Sequence, residues 1–288
     1  MTDALVVSGL TKTYPARRGG MPVAAAKQIG FRLPKGGSLG LVGESGCGKT
    51  TLARMIVGLA VPDAGTVTID GRDRQWRPRG RKARLARARE AQMVFQDPYG
   101  SLDRRLTVEN ALRDVLRRHQ PHLTPAAVGE RIQALLDRVG LGGSTAESRP
   151  HQLSGGQRQR VAIAKALAVD PTVLVLDEAV SALDVSVQAQ ILALLNEIRR
   201  ESGVSLVFVS HDLAVVAEVT DQILVMHEGE SVEHGSTGDV LCSPRHPYTE
   251  LLMSSAPGPD WQPERVSELR AVFAATRPQS AGQRSSVS

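Results

Sequence analysis

One stretch of eight residues constrains the fold of this chain more than any other. Residues 43–50 read Gly-Glu-Ser-Gly-Cys-Gly-Lys-Thr and fit the pattern G-x-x-x-x-G-K-[ST] of a phosphate-binding P-loop. The apolar run 38–42 before it predicts a short buried strand, and residues 51–57 after it predict the first turns of a helix. This context suits phosphate, because glycines allow a tight turn and the helix N-terminus presents unpaired N–H groups.

The P-loop identifies the first candidate residues for nucleotide binding. Lys49 is expected to reach the β- and γ-phosphates, and the Thr50 hydroxyl is expected to bind Mg²⁺. A chance glycine-rich turn is the competing interpretation, and the strand and helix on either side argue against it. The candidate nucleotide-binding residues of this stretch are Gly43, Glu44, Ser45, Gly46, Cys47, Gly48, Lys49, Thr50 and Thr51.

The composition is that of a folded protein. Hydrophobic residues make up 41% of the 288 positions, and the two cysteines, far apart, argue against a disulfide framework or a zinc site. No apolar run approaches the roughly 18 residues of a membrane helix. Residues 1–4 lack the basic-then-apolar order of a signal peptide. We therefore expect a soluble chain in a reducing cytoplasm, held at a membrane only by a partner.

Much of the net charge of +5 lies in one basic segment, whose single aromatic residue is Trp76. Proteins that bind single-stranded nucleic acid usually place several stacking rings among their charges. A solvated loop that leads into a basic helix is therefore the favoured interpretation, and nucleic acid is not expected as a partner. The basic residues of the segment are Arg72, Arg74, Arg77, Arg79, Arg81, Lys82, Arg84, Arg87 and Arg89.

Strand and helix patterns alternate along most of the chain. Apolar runs at 91–95, 172–176 and 204–209 predict strands of a parallel sheet with right-handed crossovers. Residues 108–118 and 126–139 carry apolar side chains at helical spacing and predict an inserted helical lobe. Further strands are predicted at 5–7, 31–33, 66–69, 222–226 and 231–233, and further helices at 157–168 and 187–200.

Polar groups follow three of the predicted parallel strands. The P-loop begins after Val42, Asp177 and Glu178 follow Leu176, and His211 comes soon after the strand 204–209. Ligands of parallel sheets bind beyond the carboxyl ends of the strands, so we expect these groups to gather at one edge. A single acid after a strand is often a helix cap, whereas two adjacent acids beside a P-loop favour a metal ligand and a general base.

The stretch Leu-Ser-Gly-Gly-Gln at 153–157 adds a specific motif. A P-loop, a later LSGGQ and a strand ending in Asp-Glu together resemble the ATP-binding cassette (ABC) ATPases, and the resemblance covers about 5–252. It implies an α/β fold, with a RecA-like P-loop NTPase core of parallel strands, an N-terminal antiparallel β subdomain and an inserted α-helical subdomain. The implied domains are 4–253, with the helical subdomain at about 97–169, and a C-terminal extension, 254–288, whose distal end is expected to be disordered.

The resemblance also implies roles for individual residues. Gln96 matches the Q-loop of the family, residues 181–184 match its D-loop, and Tyr14 matches the aromatic residue that stacks on adenine. With ATP and Mg²⁺ as ligands, the implied catalytic residues are Glu178, His211, Gln96 and Lys49, and the implied metal ligands are Thr50, Gln96 and Asp177. Two nucleotides are sandwiched head to tail between two cassettes in this family, so Ser154, Gly155, Gly156 and Gln157 are expected to complete the site of a second cassette.

A narrower likeness concerns the segments 94–102, 184–190 and 244–249, which resemble the ATPase subunits of oligopeptide, dipeptide and nickel importers. It implies two membrane-spanning permease subunits, a second ABC ATPase that is a copy or a relative of this chain, and an extracytoplasmic binding protein as indirect partner. The chain would lie peripherally at the cytoplasmic face of the cell membrane. Ala179 stands where many cassettes have proline, and Cys242 alone does not support the iron–sulfur cluster of some relatives.

Two other functions compete with ATP-driven import. The basic segment motivates a cassette ATPase that acts on nucleic acid or the ribosome, although the chain has one cassette, no long coiled-coil insertion and no zinc-ligand cluster. A nucleotide-binding regulatory module without turnover is disfavoured by the presence of both Glu178 and His211.

Overall fold

The computed structural model describes residues 2–15, 21–74, 76–97, 100, 102–255, 269–270 and 273. Several sequence-based predictions concern positions outside these residues. They are the predictions for positions 98, 99 and 101 of the importer-like segment 94–102 and for the distal end of the C-terminal extension.

The described strands form two sheets. A six-stranded sheet has the order β10-β9-β3-β8-β7-β6, and a four-stranded sheet has the order β2-β1-β4-β5. The strands are Asp3–Tyr14 (β1), Val23–Pro34 (β2), Ser38–Val42 (β3), Ala64–Ile69 (β4), Arg72–Asp73 (β5), Ala91–Val94 (β6), Val173–Asp177 (β7), Ser205–Val209 (β8), Gln222–His227 (β9) and Glu230–Ser236 (β10).

Helices cover the sheets and fill the stretch between β6 and β7. Short 3₁₀ helices lie at Gly143–Glu147 and Pro150–Gln152. The described α-helices are Lys49–Ile56 (α1), Gly80–Glu90 (α2), Val108–His119 (α3), Pro125–Arg138 (α4), Gly155–Leu167 (α5), Val185–Ser202 (α6), Leu213–Val219 (α7), Thr237–Cys242 (α8) and Pro247–Ser254 (α9). Among the described residues no helix is both long and apolar enough to cross a membrane.

The parallel part of the larger sheet explains the continuous apolar runs of the sequence. β3 pairs in parallel with β8 and β9, and β7 pairs in parallel with β8 and β6. Every residue of β3, β7 and β8 is buried. In β7, Leu174 and Leu176 face the core that contains the helices, whereas Val173 and Val175 face the core shared with the smaller sheet. Both faces need apolar side chains, so no polar alternation is present.

The smaller sheet corrects the predicted strand lengths. Strands were expected at 5–7 and 31–33, but β1 and β2 each extend over 12 residues and form one antiparallel hairpin. Bulges in their pairing interrupt the alternation of buried and exposed positions, so the sequence pattern shows only part of each strand. The run at 66–69 lies in β4 and pairs antiparallel with β1, as its alternation predicts.

Two helix starts also differ from the prediction. The helix expected from residue 157 begins at Gly155, because Ser154 caps it, and the helix expected from 187 begins at Val185, because Asp184 caps it. In both cases the cap side chain accepts a hydrogen bond from the backbone N–H three residues later. The apolar periodicity begins only within the first turn of each helix, so a prediction from periodicity alone places the helix start too late.

The basic segment is solvated except for one residue. α2 has no fully buried residue, as expected for a basic surface helix. Arg74 is different, with only 4% of its surface exposed. Its guanidinium donates to the Val57 carbonyl at 2.6 Å and lies 3.1 Å from the Glu90 carboxylate. Burial lowers the pKa of Arg74 to about 10, so Arg74 remains charged at neutral pH. Its charge is paired with the Glu90 carboxylate and is not solvated.

Candidate functional site

The P-loop leaves the carboxyl end of β3 as a tight turn. Gly43 has φ of 148°, and a Cβ there would lie 2.2 Å from the carbonyl oxygen of Met226. Gly48 caps α1 without any side-chain hydrogen bond, so the first N–H groups of the helix stay available. These features give a loop that can wrap closely around an anion.

Lys49 braces the loop from inside. Its side chain is buried, and Nζ donates to the carbonyl oxygens of Gly43 at 2.7 Å and Glu44 at 2.8 Å. Both carbonyls belong to the first turn of the loop. The ammonium group therefore lies within the cradle, where it can exchange these neutral acceptors for phosphate oxygens.

Three strand ends bring the remaining polar groups to the same edge. Leu41 of β3 and Asp177 of β7 are both register partners of Val209 in β8. The residues that follow these positions therefore leave the sheet side by side. The predicted gathering of the P-loop, Asp177, Glu178 and His211 at one edge is what the sheet register produces.

Thr50 and Asp177 provide a pair of oxygen ligands suited to Mg²⁺. The Thr50 hydroxyl donates to Asp177 Oδ1 at 3.1 Å. Burial raises the pKa of Asp177 above its ordinary value, and the neighbouring Glu178 carboxylate acts in the same direction. A divalent cation would offset the cost of burying this carboxylate, and a hydroxyl beside a carboxylate is a typical oxygen donor set for magnesium. The residues present therefore fit the metal.

Glu178 is held in a defined position at the mouth of the site. Its backbone is left-handed, with φ of 47°, and its N–H donates to the Val209 carbonyl at 3.0 Å. One carboxylate oxygen accepts from Gln96 Nε2 at 3.0 Å, and the other lies 3.7 Å from His211 Nδ1. The Gln96 amide thus orients the carboxylate, as a general base requires, and the His211 imidazole lies beside it.

Tyr14 lies with the P-loop in one cleft of about 410 Å³. Tyr14 is 39% exposed, and the Lys12 ammonium lies 5.5 Å from the centre of its ring. The exposed face suits stacking on a planar base better than packing in a core. Val23 and Ala25 of β2 also line this cleft, and no sequence motif pointed to them. The lining residues are Tyr14, Val23, Ala25, Ser45, Gly46, Gly48, Lys49, Thr50, Thr51, Gln96 and Glu178.

The LSGGQ stretch does not line this cleft. Ser154 Oγ accepts from Gln157 N at 3.2 Å, and the Gln157 side chain accepts from Ser154 N at 2.9 Å, so the two residues cap the start of α5. A Cβ at Gly156 would lie 2.5 Å from a methyl group of Val187, which explains the need for glycine where α5 meets α6. Ser154 and Gln157 are exposed, so the start of α5 is open to solvent.

Ser181 forms a contact with Glu178 that the sequence motifs did not predict. Its hydroxyl donates to the backbone carbonyl of Glu178 at 2.9 Å, and its N–H donates to the same carbonyl at 3.2 Å. The D-loop resemblance named Ser181 without a role. In this geometry Ser181 fixes the turn that aims the Glu178 side chain.

Cys47 belongs to the P-loop backbone, but its side chain points into the protein. It is 6% exposed and packs in the core shared with the smaller sheet, and its side chain is not among the groups that line the cleft. Burial raises the pKa of the Cys47 thiol, so little thiolate forms at neutral pH. Cys47 thus fills space in the native protein.

A bulky thiol reagent should nevertheless distinguish the two cysteines. We expect exposed Cys242 to react rapidly and harmlessly, and buried Cys47 to react several-fold more slowly but with loss of ATP binding, because the adduct displaces the loop. Mass spectrometry of labelling and ATP titration of the Cys242→Ser and Cys47→Ala chains measure the two effects separately. Unchanged ATP affinity after full labelling of Cys47 would contradict the steric argument.

Two family models match the chain. The ABC transporter model matches residues 26–181, and the model of the oligopeptide/dipeptide transporter C-terminal region matches residues 232–278. The oligopeptide transport ATP-binding protein OppF of Haemophilus influenzae is 44% identical over 248 residues, which cover 86% of this chain and 74% of that protein. The dipeptide transport ATP-binding protein DppF of Escherichia coli is 41% identical over 263 residues, covering 89% and 78%.

Solved structures give the same picture. The structure of cbiO1 from Clostridium perfringens, part of the ABC transporter complex cbiONQ, superposes with a TM-score of 0.74 at 28% identity, covering 84% of this chain and 92% of that one. A dimeric structure of the ATP-binding cassette MJ0796 in a post-hydrolysis state, bound to ADP and Pi, superposes with a TM-score of 0.71 at 28% identity, covering 81% and 98%.

Proposed function

Because the chain belongs to the ABC transporter family, we propose that it is the ATP-binding and hydrolysing subunit of an importer for oligopeptides or dipeptides. One observation carries the proposal. The same chain contains the P-loop, Glu178 and His211 at one edge of the sheet and a C-terminal region that matches oligopeptide and dipeptide transporters. The chain is an ATPase, as its family and its solved neighbours are. Separate membrane subunits would supply the path for the peptide.

Nucleotide binding uses the cleft beside the P-loop. Tyr14 stacks on the adenine, and the loop N–H groups hold the phosphates. Lys49 leaves the carbonyl oxygens of Gly43 and Glu44 and turns toward the β- and γ-phosphates. The exchange is favourable, because a charged acceptor replaces two neutral ones.

The Mg²⁺ ion would be held by the Thr50 hydroxyl, by the side-chain oxygen of Gln96 and, through water, by Asp177. Bound there, it would supply positive charge that offsets the negative charge of the phosphates. The chain itself contributes the orientation of these ligands, because Thr50 and Asp177 already lie within hydrogen-bonding distance.

Hydrolysis requires a positioned base and charge stabilisation. Glu178 orients a water molecule and accepts its proton as the water oxygen attacks the γ-phosphorus. The bond between the γ-phosphorus and the oxygen of the leaving ADP breaks in the same step. His211, 3.7 Å from Glu178, contacts the γ-phosphate and holds this geometry. Phosphoryl transfer depends mainly on positioning and electrostatics, so this arrangement of fixed groups is what the reaction needs.

A second cassette completes each site. Ser154, Gly155, Gly156 and Gln157 lie outside the cleft of their own chain and serve the γ-phosphate bound by the partner. The start of α5 presents a helix N-terminus for this anion. The dimeric neighbour bound to ADP and Pi supports an assembly of two cassettes, either two copies or two relatives.

The proposal includes the domain plan and the location. Residues 4–253 form the ATPase domain, with the helical subdomain at about 97–169, and residues 254–288 form a C-terminal extension. The chain lies at the cytoplasmic face of the cell membrane, bound to two permease subunits, and an extracytoplasmic binding protein delivers the cargo. Identification of the subunits that co-purify after mild detergent extraction tests this plan, and the absence of any membrane subunit would contradict it.

Gln96 is proposed to couple hydrolysis to transport. It contacts Glu178 in the site and lies just after β6, where the segment that leads into the helices begins. We expect Gln96→Ala to lower peptide transport per ATP hydrolysed by about five-fold or more, because the link between the site and the helices is lost. Transport and phosphate release measured in the same reconstituted vesicles give this ratio.

Gln133→Ala provides the matched control for this coupling test. Gln133 lies on the exposed face of α4 and donates to Asp137, far along the chain from Glu178. It should leave the ratio of transport to hydrolysis at the wild-type value. An unchanged ratio in Gln96→Ala as well would remove Gln96 from the coupling role.

The nucleic-acid alternative is not favoured. The relatives OppF and DppF are named as oligopeptide and dipeptide transport proteins. A salt titration distinguishes the functions: tight DNA binding with a steep decrease as salt rises would favour the alternative.

A further inference from the structure

The Pro-Arg-His-Pro-Tyr-Thr segment at 244–249 has no role in the mechanism above, yet it contacts the P-loop. Tyr248, near the start of α9, is 1% exposed. Its hydroxyl oxygen lies 3.0 Å from the backbone nitrogen of Glu44 and accepts that N–H. Glu44 is the second residue of the P-loop, so a residue from the C-terminal region touches the nucleotide site directly.

The segment is rigidly attached around this contact. His246 caps α9 by accepting from Tyr248 N at 3.1 Å, and the Glu233 carboxylate of β10 accepts from the backbone N–H groups of Arg245 and His246. The Tyr248 ring lies 4.1 Å from the His227 ring, centre to centre. These contacts leave the hydroxyl with little freedom to move away from Glu44.

Both backbone polar groups of Glu44 are held by side chains. The Tyr248 hydroxyl accepts a hydrogen bond from the Glu44 N–H, and Lys49 Nζ donates to the Glu44 carbonyl oxygen at 2.8 Å. When Lys49 turns toward phosphate, the carbonyl contact is given up and the tyrosine contact remains. The first turn of the loop would otherwise have to be ordered at the expense of binding free energy.

We propose that Tyr248 is a positioning residue for ATP, whose hydroxyl fixes the first turn of the P-loop through Glu44. The inference rests on the proposed function, because it assumes that the P-loop binds ATP. Burial also raises the pKa of Tyr248 to about 12, which keeps the hydroxyl neutral at physiological pH. The C-terminal region that matches peptide transporters thereby becomes part of the nucleotide site.

Tyr248→Phe tests this role, because it keeps the ring packing and removes only the hydroxyl. We expect the Kd for ATP to rise by about two- to ten-fold, the effect of one lost hydrogen bond with the donor left unpaired. KM for ATP should rise by a similar factor, and kcat should fall less. Thr249→Val is the matched control: it removes a hydroxyl from the next residue of the same helix, which is also fully buried.

Equilibrium ATP binding and thermal unfolding of both variants separate positioning from general packing. Weaker ATP binding in Tyr248→Phe alone supports the inference, whereas equal Kd values for wild type and Tyr248→Phe, or equal weakening in both variants, overturn it. Amide hydrogen exchange of the wild-type chain gives a test without any variant: the Glu44 amide should be protected without nucleotide, and rapid exchange there overturns the inference. Failure of the wild-type chain to bind ATP would instead contradict the proposed function.

Discussion

Glu178→Gln should bind ATP normally and lose turnover. The amide has the size of the carboxylate and can keep the contacts to Gln96 and His211, but it cannot accept a proton from water. Loss of a general base typically lowers the rate by about 100- to 10,000-fold. Phosphate release at saturating ATP measures the loss, and equilibrium binding of ATP shows that the site is intact.

Glu218→Gln is the control for this substitution. Glu218 is an exposed carboxylate on α7, and the same chemical change there should leave turnover at the wild-type rate. If Glu178→Gln hydrolysed ATP at nearly the wild-type rate, Glu178 would not be the base. If it failed to bind ATP, the variant would report on folding of the site rather than on proton transfer.

Ser154→Arg should abolish hydrolysis in the assembled dimer while ATP still binds to the P-loop of the same chain. Ser154 is exposed at the start of α5 and lies outside its own nucleotide cleft. The long arginine side chain would occupy the space in which the γ-phosphate of the partner has to fit. Turnover at the partner's P-loop should therefore fall to background, and sizing in the presence of ATP should show that the dimer does not close.

Ser154→Ala separates the effect of the bulky arginine side chain from the effect of losing the serine hydroxyl. The serine hydroxyl accepts the Gln157 N–H, so any substitution loses this cap, at a cost of about 1 kcal/mol of stability. Ser154→Ala should show that stability loss without the steric block. A comparable loss of hydrolysis in both variants would assign the effect to the lost serine hydroxyl rather than to the bulk of the arginine.

A mixture of Ser154→Arg and Lys49→Ala chains tests site sharing, if the assembly is a homodimer. In a mixed dimer one composite site carries both lesions and the other carries none. The damaged site has no properly held phosphate, so it can accommodate the arginine. Random pairing should restore up to about a quarter of the wild-type rate. No recovery in a demonstrated mixed dimer would contradict the shared site, as would full activity of Ser154→Arg alone. In a heterodimer the equivalent result is lost turnover at the other cassette.

Most of the site could be predicted because its parts are local in sequence and are brought together by a general rule of parallel sheets. The P-loop joins β3 to the first turn of α1, Asp177 ends β7, and Glu178 and His211 follow β7 and β8. Once these strands are neighbours, their carboxyl ends share one edge. No distance had to be known to expect the P-loop, Glu178 and His211 together.

The contacts that escaped prediction join distant positions without a pattern. Tyr248 and Glu44 are 204 residues apart and meet through a backbone N–H, which leaves no trace in side-chain chemistry. Arg74 lies in a segment of otherwise exposed arginines, and only the position of Val57 and Glu90 decides that it is buried. The helices begin at Gly155 and Val185 because Ser154 and Asp184 cap them, whereas the apolar periodicity indicates later starts.

ATP-driven peptide uptake tests most directly whether hydrolysis at Glu178 drives import. Vesicles would contain the co-purified membrane subunits with either the wild-type chain or Glu178→Gln, ATP on the cassette side, and the binding protein with a labelled tripeptide on the other side. The expected result is uptake that requires ATP and the wild-type chain and is absent with Glu178→Gln. Hydrolysis without any peptide uptake above the ATP-free level, across di-, tri- and longer peptides, would contradict a peptide importer.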